Sequence, residues 1–60
     1  MKEFDVVELL CDIPEHSLIK GQKGTILEIY SDVDCEIEIC DDEGLTQFLG
    51  TLKLNDLKKV

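Results

Sequence analysis

No tryptophan, two phenylalanines and one tyrosine stand among the 60 residues, which excludes an aromatic-rich core. The apolar residues are mainly Ile, Leu and Val, so the core is expected to be aliphatic. Basic residues are equally scarce: six against fourteen acidic ones, for a formal charge of -8. Such a field repels the phosphate backbone and anionic membrane surfaces, so neither nucleic acid nor membrane is an expected partner. No apolar run approaches the roughly 20 residues of a membrane span. Met1 to Asp5 opens into a charged, alternating segment instead of a signal-peptide core, and a cytoplasmic location is expected. The three cysteines, Cys11, Cys35 and Cys40, are odd in number, which favours free thiols over a disulfide framework. There is no internal repeat and no low-complexity tract. The length leaves room for one domain, residues 1–60, with marginal stability or a homodimer as the expected consequence.

What is present is a succession of strand signals. Phe4 to Leu10 is short and dominated by β-branched and bulky apolar residues, as a first strand should be. Cys11 to Lys20 contains the single proline, Pro14, which lacks a ladder donor, and reads as a long loop. Its Ile13, Leu18 and Ile19 are expected to fold back over one end of the core. Gly21 and Gly24 bracket an expected tight turn, and Thr25 to Tyr30 forms the second strand. Ser31-Asp32-Val33-Asp34 has turn chemistry. Cys35 to Cys40 then alternates cleanly, which directs Cys35, Ile37 and Ile39 inward and Glu36 and Glu38 outward. Asp41-Asp42-Glu43-Gly44 signals a hairpin, Leu45 to Leu52 returns as a fourth strand, and Gly50 suggests a bulge or bend within it. Leu54 to Leu57 reads as a single 3₁₀ or helical turn before a short last strand at Lys58 to Val60.

This order predicts a mainly β fold: a small SH3-like barrel of about five antiparallel strands with a long first loop and one short 3₁₀ turn. An open meander is the rival. Closure is preferred because it removes exposed edges that no helix is available to cover.

Several segments carry a family resemblance: Asp5-Val6-Val7, Asp12-Ile13-Pro14-Glu15, Gly21-x-x-Gly24-Thr25-Ile26, Glu28-Ile29-Tyr30 and Thr51-Leu52-x-x-Asn55-Asp56-Leu57. Together they resemble a family of short bacterial proteins classed as a domain of unknown function, over nearly the whole chain. The resemblance implies an SH3-like fold and no particular activity. Gly21 to Ile26 is also similar to the glycine turn of ribosomal and transcription-factor SH3-like modules. The basic loops those modules use on RNA are missing here, so the likeness extends to fold alone.

The chemistry-bearing residues form no familiar constellation. Cys11, Cys35, Cys40 and His16 include the ligand types of a Cys3His zinc site. Cys35 and Cys40 lie five apart on one strand, however, which directs them to opposite faces and offers no ligand knuckle. Cys11 with His16 as its base lacks an orienting third group. Asp32, Asp34, Asp41, Asp42 and Glu43 have the oxygen donors of a calcium site without its ordered ligand loop. No catalytic residue, metal or cofactor is assigned, and the chain is expected not to be an enzyme. What remains is a set of carboxylates, Glu28, Glu36, Glu38, Asp41, Asp42 and Glu43, on two adjacent strands and their hairpin. Glu36 and Glu38 must share a face, whereas Glu28 joins them only in the right register. The expected function is a protein-binding module, such as an immunity protein or antitoxin, presenting this acidic face to a basic protein. The alternative is an accessory or assembly module that associates through β-edge and apolar contacts.

Overall fold

Period-two alternation dictates the best-defined element. In the computed structural model, which describes all of residues 1–60, β3 spans Asp34–Cys40, with Cys35, Ile37 and Ile39 fully buried and their neighbours half-buried on the opposite face. Around it lie β1 (Val6–Leu9), β2 (Lys23–Ile29), β4 (Thr46–Lys53) and β5 (Leu57–Lys59). All pair antiparallel in one sheet of order β4-β3-β2-β1-β5. The sheet folds over a core of Val7, Leu9, Ile13, Leu18, Ile26, Cys35, Ile37, Ile39, Leu52 and Leu57, with Ile29, Phe48 and Leu54 packed against it. Burying each of the large aliphatic side chains contributes roughly 1.5–3 kcal/mol, and no aromatic ring belongs to the fully buried set.

The turns follow their residue chemistry. Ser31 Oγ accepts the Val33 and Asp34 N–H groups at 3.1 and 3.2 Å, closing the β2–β3 reversal. Asp41 Oδ1 accepts those of Glu43 and Leu45, both at 2.9 Å, and Gly44 takes a φ of 84°, which completes the β3–β4 hairpin.

Closure does not occur. β4 pairs only with β3 and β5 only with β1, so the expected closed barrel is corrected to an open five-stranded sheet with two edges. The connection from β4 to β5 is the reason. Leu54–Asp56 makes a 3₁₀ turn that bonds to Val33 and Leu10 and carries the chain to the far side of β1, leaving β4 and β5 unpaired with each other. The expected single 3₁₀ turn is also corrected to two, because Pro14–His16 forms another within the long loop. There Pro14 occupies a first-turn position where its missing N–H costs nothing.

Within that loop Ile13 and Leu18 bridge to each other and cover the core, as expected, but Ile19 is exposed. Gly21 turns with a φ of 92°, whereas Gly24 is not a turn residue at all: it lies inside β2, opposite Val7 and Ile39. A Cβ there would sit 2.6 Å from the Glu38 carbonyl oxygen, so the glycine is required by close packing of strands. Gly50 pairs regularly with Ile37, and the Phe48 ring occupies the space beside it. The register shift of β4 falls instead at Gln47, between the Ile39–Phe48 and Cys40–Thr46 pairs. No helix is long and apolar enough to cross a membrane.

Candidate functional site

The outer face of β2 and β3 is where the carboxylates meet. Ile26 pairs with Ile37 facing the core, and without interruption the alternation would point Glu28 inward too. A register shift between Ile26 and Glu28 leaves Leu27 as an extra residue, so Glu28 emerges directly opposite Glu36 on the outer face. Glu38 follows two residues along, opposite Thr25 on β2 and Leu49 on β4. Like charges directly opposite one another destabilise a sheet, and no lysine forms an ion pair with any of the three. The sole salt bridge lies elsewhere, between Lys59 and Asp5 at 3.8 Å.

Hydroxyl groups take the place of cations. Tyr30 Oη donates to Glu36 Oε1 at 3.2 Å, Thr51 Oγ1 lies 3.5 Å from the same oxygen, and Thr46 Oγ1 donates to Glu38. Partial desolvation raises the Tyr30 pKa first, and its hydrogen bond to Glu36 and the charges of Glu36 and Glu28 raise it further. The phenol therefore remains a donor to the carboxylate row. Sequence reading missed Tyr30, Thr46 and Thr51, and the signal that would have found them is cross-strand pairing.

The hairpin residues divide. Asp41 is a turn-building residue, whose second oxygen also accepts from Gln47 Nε2 at 3.1 Å. Asp42 and Glu43 are exposed at the tip. Glu38, Asp41 and Asp42 come together along an open groove of about 770 Å³, whose other wall is formed by Ile19 to Gly24. Lys20 and Lys23 line it as well, so the tip end carries both signs, while the Glu28–Glu36 end carries one.

The thiols and the histidine are not brought together. Cys35 is buried, with its Sγ 3.6 Å from the Leu52 carbonyl oxygen, and burial raises its pKa, with the Asp34 and Glu36 charges adding to the effect. Cys40 is half-buried in the groove, and Cys11 is exposed. Desolvation raises the Cys11 pKa, and the charge of Asp56 and a hydrogen bond to it raise it further, so this thiol is held away from the reactive thiolate. His16 packs its ring on Phe48, with centroids 4.7 Å apart, at the rim of the core. No group of three or more His, Cys, Asp or Glu side chains is arranged to hold a metal ion.

The class of molecule is thus a small all-β domain with an anionic sheet face and two sheet edges. The chain belongs to the family described as Domain of unknown function (DUF4926), whose profile matches residues 3–59. No curated protein and no solved structure matches it.

Proposed function

We propose that this protein is a non-enzymatic, cytoplasmic protein-binding module that docks the outer face of β2 and β3 on a basic protein surface. The observation that carries the reading is the Glu28–Glu36 cross-strand pair, extended by Glu38, with none of the three in an ion pair. A partner lysine or arginine would relieve the repulsion within that row, and its charge would also steer the encounter. The hydroxyls of Tyr30, Thr46 and Thr51 hold the Glu36 and Glu38 carboxylates in place, which reduces the ordering cost of docking. Strand order and the 3₁₀ turn before β5 support an SH3-like kinship without full closure. Among modules of this size and charge, an immunity protein or antitoxin of bacterial origin that neutralises a basic toxin or nuclease fits best.

The test is capture from cells of the source organism with wild type and a Glu28→Gln/Glu36→Gln/Glu38→Gln variant, at low and high salt. The expected result is a basic protein retained by wild type at low salt, released at about 0.5 M NaCl, and bound about a hundredfold more weakly by the variant. A partner that binds both forms equally would sink the proposal, and so would the absence of any salt-sensitive partner.

A further inference from the structure

We infer that β4 is a self-pairing edge, and that two copies of this chain join β4 to β4 antiparallel about a two-fold axis to make one ten-stranded sheet. A sheet edge presents a row of unpaired N–H and C=O groups, and proteins that stay monomeric blunt it with lysines, proline, bulges, inward charges or a very short strand. β5 is blunted in two of these ways, being three residues long with Lys58 and Lys59 in it. β4 is eight residues long, and its one charge is Lys53 at the last position, opposite Asp34. Its bulge at Gln47 lies near the start and leaves Phe48 to Leu52 in regular register. No backbone hydrogen bond joins β4 to the long loop or to β5. At about 3.4 Å per residue β4 runs roughly 27 Å, close to the 28 Å longest extent of the molecule, so pairing would engage its full length.

Charge selects a second copy as the occupant. β4 contains no acidic residue, although fourteen are spread over the chain, and its one lysine is at the end, so antiparallel pairing with a second copy sets neither carboxylate against carboxylate nor, as at β5, lysine against lysine. Exposed Leu49 on its outer face would be covered by the partner strand. In the paired sheet the β3 strands of the two copies lie three strand spacings apart, roughly 14 Å. That exceeds the Debye length of about 8 Å at physiological ionic strength, so the two carboxylate rows are screened from each other. Salt therefore strengthens this association, the opposite of its effect on docking to a basic surface, and the two readings fail separately.

Sedimentation equilibrium of the full chain from about 10 μM to about 1 mM, at about 0.05 and 0.5 M NaCl, tests the proposal. The expected result is a monomer–dimer equilibrium that tightens with salt and weakens at least about tenfold in Leu49→Lys, a substitution on an exposed site. Amide exchange of the wild type supplies a readout that does not depend on the variant's folding: protection within Phe48 to Lys53 should rise with protein concentration while that of β5 stays constant. A monomer under all conditions would overturn the proposal and leave the edge to a strand from another protein. A dimer unaffected by Leu49→Lys, or concentration-dependent protection in β5 instead, would overturn it as well.

Discussion

The two edges of this sheet are built on different terms. β5 is tied to β1 by three residue pairs and sends one side chain, Leu57, into the core, with lysines at its other two positions. β4 is tied to β3 by seven pairs, contributes Leu52 and the partly buried Phe48, and carries hydroxyls and aliphatic groups outward. One edge is weakly held but guarded by charge, whereas the other is firmly held and unguarded. The contrast teaches that exposure of an edge and stability of the strand beneath it are separate properties, set by different residues. A strand meant to pair with another chain must first be held firmly by its own.

The sharpest way to break this comparison is to remove the core anchor from each edge. Leu52→Ala and Leu57→Ala should each cost about 2–5 kcal/mol in denaturant unfolding, the usual range for deleting a buried leucine. They should differ in what opens. Leu57→Ala leaves β5 with no buried side chain, so amide exchange at Lys58 to Val60 should reach the fraying limit while the folded core persists. Leu52→Ala should leave β4 paired and its exchange pattern close to that of wild type. If Leu57→Ala leaves the β5 amides as protected as before, β5 is not the weakly held edge.

A smaller effect concerns the turn that feeds β4. Gly44→Ala places a side chain at a φ of 84° with no atom within 4 Å to clash, so its cost is the left-handed backbone alone, about 1–2 kcal/mol. The substitution should lower the melting temperature without altering β3–β4 cross-strand contacts in an NMR spectrum. A loss of those contacts would mean that the hairpin turn, and not the Ile39–Phe48 pairing beyond it, sets the β4 register.

The smallest expected effect is at the guarded edge and depends on pH. Asp5 has its pKa lowered chiefly by the Lys2 backbone N–H, with Lys59 and Lys2 charges assisting and partial desolvation opposing. A depressed folded-state value means that the stabilisation is present above the ordinary carboxylate pKa and is lost as pH falls through the lower folded value. Asp5→Asn should therefore lower the melting temperature slightly at neutral pH and converge on wild type on the acid side of about pH 4, so that the acid decline is shallower from a lower plateau. A plateau and acid limb both identical to wild type would show that the Lys59 contact adds nothing to the β5 edge.

Much of the fold was legible in the sequence because its signals are local. Alternation through Cys35 to Cys40 assigned both faces of β3, and Asp41 to Gly44 announced the hairpin that follows. Ser31 to Asp34 did the same for the preceding turn. Errors arose where a residue type has two physical uses. Gly24 resembles a turn glycine, yet its role is to let the Glu38 backbone approach. Gly50 resembles a bend, yet it makes room for the Phe48 ring. Ile19 resembles a core residue, but Ile13 and Leu18 already cap that end. The preference for closure followed from the cost of open edges, and the path of Leu54 to Asp56 overrode it.

By itself the sequence determined an acidic, aliphatic-cored β domain and the shared face of Glu36 and Glu38, because composition and period-two alternation act within one strand. Tertiary structure alone decided that Glu28 joins them, through the extra residue at Leu27, and that β4 and β5 remain edges. A bulge and a strand order are settled by competition between pairings distant in the chain, where a one-residue slip reverses every side chain beyond it.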